Sequence, residues 1–263
     1  MKIFLLGGTK DSTNIIEFIK ENYDAYILTT TTTEYGAKLA RESGSDDTIA
    51  RPLLKDEIIE IILDGKFDIL IDATHPFAEH ITQTSATIAK ELKIPYILFE
   101  RPTTNLEGID TSRIHYVNSF TEAGKLIADE FLQGNILHFA GANTMEDVLK
   151  YVPTERFYPR ILKVPSSIEK CEELDVDPSH IIPMKGAASM DENIELIEKY
   201  DASVMITKES GEIGGVIDKI DAANEKDIMV IMIQRPEIKE VDKKDIVSNL
   251  DELDNKIKTY FYK

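Results

Sequence analysis

Short apolar runs alternate along this chain with stretches whose apolar positions recur at three- and four-residue spacing. Met1–Leu6 predicts a strand, Ser12 to about Asn22 an amphipathic helix, and Tyr26–Leu28 a second strand that ends in the threonines Thr29 to Thr33. Helices are expected at Glu34–Ser43 and Asp56–Leu63, a strand at Asp68–Ile71, a helix from Phe77 to Leu92, and a strand at Ile94–Phe99. Such alternation predicts a parallel sheet with helices on both faces. The polar stretch TTNLEGIDTS after Pro102 reads as a linker, and the alternation then restarts. Strands are expected at Ile114–Val117, Asn135–Phe139, Phe157–Leu162, His180–Met184, Ser203–Thr207 and Ile228–Ile233. Helices fit Thr121–Leu132, Thr144–Lys150, Asp191–Lys199 and about Gly215–Asn224. In the charged tail, Leu250, Leu253, Ile257 and Phe261 stand at helical spacing and predict a surface helix.

The pattern also echoes itself. Laid without gaps over Phe67–Pro102, the segment Asp201–Pro236 sets Ala89 on Ala223, Ile94 on Ile228, Ile97 on Ile231 and Arg101-Pro102 on Arg235-Pro236. Strand falls on strand and helix on helix, and each segment ends at a proline that has no N–H for a ladder. Two half-molecules of similar architecture, facing each other, are therefore expected: a domain over residues 1–102 and a second over 103–263 that carries the tail helix.

Composition narrows the function. With 48 acidic against 30 basic residues the formal charge is −18, and no basic stripe stands out, so nucleic acid is not an expected partner. No run approaches the roughly 18 apolar residues of a membrane span. A lone cysteine, Cys171, gives no internal disulfide or multi-thiolate metal site and suits a reducing cytoplasm. No histidine pair has zinc-site spacing. A monomer is the default, since no apolar stripe exceeds what the cores need. Any anion site in so acidic a chain must come from backbone N–H groups and a few placed cations.

Ligands of open parallel sheets bind at the carboxyl ends of strands. Gly7-Gly8-Thr9 follows the first strand there, where close backbone approach and a helix N-terminus suit a phosphate; a plain turn would read the same. The second strand ends in Thr29 and Thr30 with no acid, and Arg51 follows; an acid would grip the ribose of NAD, so hydroxyls and a cation favour NADP. The stretch FDILIDATHPFAEH breaks from a strand into Asp72, Thr74, His75 and Pro76, and its echo reads Thr207-Lys208-Glu209-Ser210-Gly211 with Gly214 and Gly215. Lys208 is a cation in a glycine-rich loop, set against the general charge.

GGT after the first strand, DATHPFA, the ERP ending, and TKESGEIGG followed by Lys219, Ala222-Ala223 and a closing RP together resemble the precorrin-6A reductase family, NADPH-dependent enzymes of cobalamin biosynthesis. The resemblance runs from Met1 to about Pro236. It implies two Rossmann-like α/β domains whose parallel sheets face a central cleft, with NADPH held mainly by the first and a tetrapyrrole between them. Carried over, the cofactor falls on Gly7, Gly8, Thr9, Thr29, Thr30, Asp72, Thr74, His75 and Pro76. Lys208, Glu209, Ser210, Gly211, Gly214 and Gly215 face the substrate. Three positions depart from the family: Asp11 stands for a glutamate, Gly186-Ala187-Ala188-Ser189 for Gly-Pro-Phe-Ser, and Ala140 for the threonine before Gly141.

The implied reaction moves a hydride from NADPH to one carbon of the C18–C19 double bond of precorrin-6A, or of its cobalt complex, and a proton to the neighbour. The cofactor supplies the hard chemistry, which fits the absence of a triad or paired carboxylates from the sequence. A polycarboxylate substrate calls for Arg and Lys, and Arg101, Arg156, Arg160, Lys163, Lys185, Lys208 and Arg235 are candidates, with Ser189 beside them. His75, Lys208 and Glu209 suit a proton donor by type, and Lys208 and His75 are the catalytic candidates. Another two-domain NADPH reductase and a non-catalytic NADP-binding sensor are the alternatives; a second ligand-facing glycine loop argues for the enzyme.

Overall fold

The computed structural model describes residues 1–184 and 186–261. It divides into two compact units, Met1–Pro102 with the chain from Pro236, and Thr103–Arg235. In the first unit β1 (Lys2–Leu6), α1 (Lys10–Asn22), β2 (Tyr26–Thr31), α2 (Glu34–Glu42), β3 (Asp47–Ala50), α3 (Lys55–Gly65), β4 (Ile69–Asp72), α4 (Glu79–Leu92) and β5 (Tyr96–Phe99) alternate strand with helix. The second runs through β6 (Ile114–Val117), α5 (Phe120–Glu130), β7 (Asn135–His138), α6 (Met145–Leu149), β8 (Phe157–Ile161), α7 (Pro165–Glu173), β9 (Ile182–Pro183), α8 (Met190–Lys199), β10 (Ala202–Lys208), α9 (Val216–Glu225) and β11 (Met229–Ile233). The chain then adds β12 (Ile246–Val247) and α10 (Leu250–Phe261).

Each unit holds a six-stranded sheet whose strands pair in parallel, in the orders β12-β5-β4-β1-β2-β3 and β6-β11-β10-β7-β8-β9. Both orders are the doubly wound 3-2-1-4-5 arrangement with a sixth strand on the same edge. The echo is explained: β4, α4 and β5 occupy in one sheet the places that β10, α9 and β11 occupy in the other. The sixth strand differs in origin, because β6 precedes the strands it joins whereas β12 comes from the far end of the chain.

That strand corrects the expected second domain of 103–263. Ile246 and Val247 pair with Leu98 and Phe99 of β5, and Leu253 and Ile257 of α10 are fully buried among Ile15, Ile16 and Ile19 of α1. The periodic stripe read as a surface helix is thus a core face, and burying two such side chains stabilises by roughly 1.5–3 kcal/mol each. Strand alternation decides which layer each residue meets. Ile3, Leu5, Ile69 and Ile71 face α1 and α10, while Phe4, Leu6 and Leu70 face Ile58 and Ile62 of α3 and Ile88 of α4. In the second unit Leu137, Met205 and Val230 pack on Ile197, Val216 and Ile220 from α8 and α9. Sequence reading missed β3, α7 and β12, which are short or polar. It also began α4 too early, because Pro76 and Phe77 form a turn in which Ala78 N–H donates to His75 O at 2.7 Å.

Candidate functional site

A cavity of about 320 Å³ opens at the carboxyl edge of the first sheet, bordered by the Gly7–Thr9 loop, Thr30 to Thr32, Arg51 and the Thr74-His75 pair. Its size is near the lower end for small-molecule sites, so it suits one half of a dinucleotide rather than the whole. Leu53, Ile58 and Ile81 supply an apolar wall. The glycine loop is built tightly. A Cβ on Gly7 would stand 2.9 Å from Thr29 Cγ2 and 3.1 Å from Ser12 Oγ, so only glycine brings the chain this close to β2. Gly7 N–H donates to Thr30 O at 2.8 Å, and Ser12 Oγ accepts from the N–H groups of Gly8 and Thr9, both at 3.2 Å. Thr9 caps α1 by accepting from Ser12 N–H at 3.1 Å and donates to Ala73 O at 2.7 Å, which ties the β1 loop to the β4 loop. Cβ-free backbone, a capped helix start and hydroxyls along one wall are the donor set that a nucleotide phosphate and ribose need.

Several of the expected contact residues are held by internal hydrogen bonds. Thr29 is fully buried and its hydroxyl pairs with Ser45 Oγ at 2.7 Å, so it props the loop from below, and Thr30 to Thr32 face the cavity instead. Asp72 is also fully buried. Its Oδ1 accepts from Thr74 N–H at 2.9 Å and Thr74 Oγ1 at 2.7 Å; its Oδ2 accepts from Tyr96 O–H at 3.2 Å and Ser85 O–H at 3.4 Å. Asp72 therefore shapes the wall that Thr74 and His75 present, and burial beside it pushes the Tyr96 phenol well up. Pro76 starts the turn before α4 rather than lining the cavity. His75 does line it, with Nδ1 accepting from Phe77 N–H at 3.2 Å. Arg51 borders the cavity, half exposed, with its guanidinium 2.7 Å from Glu57; each partner holds the other charged.

The two echoed arginines meet acids of their own units. Arg101 Nη2 lies 2.9 Å from Asp11 Oδ2, with both side chains nearly buried, so it joins β5 to the start of α1. Arg235 pairs with Glu209, whose Oε1 also accepts from Thr104 N–H at 2.8 Å, Thr104 O–H at 2.9 Å and Gly211 N–H at 3.2 Å. Arg101, Arg235 and Glu209 thus each meet a partner within their own unit, so each braces the structure there. Ser189 caps α8 in a reciprocal pair with Glu192. Lys185 lies outside the described residues.

In the second unit the carboxyl edge gathers cations. Lys208 ends β10, with Nζ 5.6 Å from the Phe120 ring centroid, and burial pulls its ammonium down to about 8. Arg160, near the end of β8, stacks its guanidinium 4.5 Å from the Phe139 centroid, and burial lowers it against the pull of Glu192. Beyond Lys208 the chain makes a tight turn over Glu212–Gly214. Ser210 Oγ takes the space a Cβ on Gly214 would fill, 1.8 Å away, so that position too must be glycine.

Two residues here were not singled out from sequence as site residues. Lys219 of α9 is 3% exposed, donates to Gly214 O at 2.8 Å, and is held down to about 7 by burial first and then by Arg160 and Lys208. His138 ends β7 fully buried against Phe157, kept neutral to about 3 by burial and by Lys208. A cation on the apolar face of α9, between Val216 and Ile220, was the available signal for Lys219. The two lysines carry a pH dependence. Unfolded, they titrate near pH 10.4, so above about pH 7 the unfolded chain binds more protons and stability rises with pH; the cost of the buried charges is in full force below about pH 7. Denaturant midpoints should climb between pH 7 and 9, and the Lys208→Met/Lys219→Met pair should flatten that climb. An unchanged slope in the double variant would contradict the assignment.

A doubly wound sheet with a glycine and hydroxyl cavity at its carboxyl edge is the arrangement of a nucleotide-binding protein. Residues 2–258 match the family described as Precorrin-6x reductase CbiJ/CobK, and the chain belongs to that family. A cobalt-precorrin-6A reductase of Methanothermobacter thermautotrophicus is 40% identical over 90% of this chain and 78% of its own length. Another, of Methanococcus maripaludis, is 40% identical over 90% of this chain and 92% of its own. The solved structure of CobK precorrin-6A reductase matches with a TM-score of 0.76, covering 99% of this chain and 98% of that one; at 16% identity this is a likeness of fold.

Proposed function

We propose that the chain reduces the C18–C19 double bond of precorrin-6A in its cobalt-bound form, with NADPH as reductant, in cobalamin biosynthesis. The match of residues 2–258 to the reductase family carries this reading, and the 40% relatives bearing the cobalt name favour the chelated substrate. When bound, the nicotinamide supplies a hydride; the protein positions the partners and supplies the proton. The Gly7–Thr9 loop and Thr30 to Thr32 receive phosphate and ribose, and Arg51 receives the 2′-phosphate. His75 holds the cavity wall. Lys208 is the proton donor, because it ends a strand at the carboxyl edge of the second sheet and its lowered ammonium is still mostly charged at pH 7. Among the described residues no helix is long and apolar enough to cross a membrane, and the reading is of a cytoplasmic monomer.

NADPH absorbance should fall only when protein and cobalt-bound macrocycle are both present; tight NADPH binding without turnover would favour a sensor. Arg51 sets cofactor preference. Arg51→Ala should weaken NADPH binding roughly tenfold or more, the loss of one charge-assisted contact, and leave NADH within about twofold. Titrating both cofactors decides, and equal losses would remove Arg51 from the phosphate site.

A further inference from the structure

Among the described residues that border the first-unit cavity, Arg51 is the only lysine or arginine, so it carries the one permanent positive charge there. Its guanidinium is already in use. Nη2 lies 2.7 Å from Glu57 Oε1, and Nη1 donates to Pro52 O at 3.1 Å. Glu57 is held in turn from behind, where its Oε2 accepts from Leu54 N–H at 2.8 Å at the start of α3. Leu54 has no side-chain oxygen to cap that helix, so withdrawing Glu57 would leave the N–H without its acceptor. The carboxylate is therefore anchored, and the half-exposed Arg51 is the partner that can turn. A guanidinium grips a phosphate best through two parallel N–H groups, and Glu57 takes one side of that fork. We infer that Glu57 is a specificity-determining residue: by holding the fork of Arg51 it limits the grip on the 2′-phosphate, and so sets the margin by which the site prefers NADPH over NADH.

The inference rests on the NADPH reading above and adds to it a residue that acts through Arg51. The Gly7–Thr9 loop and the hydroxyls of Thr30 to Thr32 serve either dinucleotide alike, because only the 2′-phosphate tells the two apart. An arriving phosphate must share Arg51 with a carboxylate or draw it away, and either course lowers affinity. NADH, with a hydroxyl at that position, makes neither demand. Exposed ion pairs are weak, so the expected effect is severalfold rather than a thousandfold. Salt screens such charges, so low ionic strength shows the effect best.

Equilibrium titration of NADPH and of NADH into the native chain and Glu57→Gln tests this. Glutamine keeps an oxygen for Leu54 N–H and gives up the charge. The variant should bind NADPH about threefold tighter or more, with NADH within about twofold. Glu57→Ala, which loses the helix contact as well, should show the same selective gain. In an Arg51→Ala background, Glu57→Gln should leave NADPH affinity within about twofold, since no fork remains to be freed. A gain that persists there is direct repulsion of the phosphate and overturns the role through Arg51. NADPH affinity unchanged or weakened in both Glu57 variants, while Arg51→Ala loses NADPH selectively, overturns the inference and leaves the cofactor reading intact. Equal loss of both cofactors in Arg51→Ala removes Arg51 from the phosphate site, and the role of Glu57 with it. A native chain that binds neither nucleotide overturns both.

Discussion

Lys208→Met should lower kcat by roughly 100-fold or more while the protein stays folded and NADPH affinity stays near that of the native chain. General acids at a reacting centre contribute factors of about 10² to 10⁴, which sets the scale. Stability is spared because methionine fills a similar volume and removes an ammonium that burial already disfavours. Cofactor affinity is spared because the cavity is lined by first-unit residues, whereas Lys208 ends a strand of the second sheet. The pH profile separates a proton donor from a mere support. With Lys208 titrating near 8, turnover of the native enzyme should fall as pH rises through that value, and this limb should be missing from the residual activity of the variant. Near-native kcat in Lys208→Met would remove the residue from the chemistry.

The largest effect on stability is expected at Asp72. Alanine there would leave two hydroxyls, a phenol and one backbone N–H without their acceptor inside a fully buried site. Orphaned buried donors cost about 1–3 kcal/mol each where no water replaces the partner, so a loss of roughly 3 kcal/mol or more is expected. Thermal unfolding of the first unit should drop by about 10 °C on the usual scaling for domains of this size. NADPH binding should weaken too, because Thr74 and His75 lose the carboxylate that fixes their loop. Asp72→Asn should cost much less: its carbonyl oxygen keeps both Thr74 contacts, and the Ser85 and Tyr96 hydroxyls rotate to accept from the amide. If Asp72→Ala unfolds like the native protein, the account of this loop is wrong.

Most of the fold was legible because parallel strands buried on both faces leave unbroken apolar runs, as at Phe4 to Leu6 and Ile69 to Ile71. The edge strand β3, DTIA, is partly exposed and gives no such run. Helix α7 opens with Pro-Ser-Ser and buries only Cys171, so its periodicity is faint. Residue type located the loops better than the contacts within them. Thr29 and Thr30 look alike in sequence, yet the pleat sends one beneath Gly7 and the other to the cavity. Arg101 and Arg235 give no sign in the sequence that Asp11 and Glu209 stand against them.

By itself the sequence determined the α/β alternation, the two similar halves and the glycine loops, because these follow from local periodicity and local backbone need. Only the tertiary structure decided that the tail completes the first sheet, that two arginines are held by internal acids, and that Lys219 is buried beside Lys208 and Arg160. Those facts depend on which distant segments meet, and on the desolvation and charge that each residue then feels. Neither quantity is written in the spacing of residues along the chain.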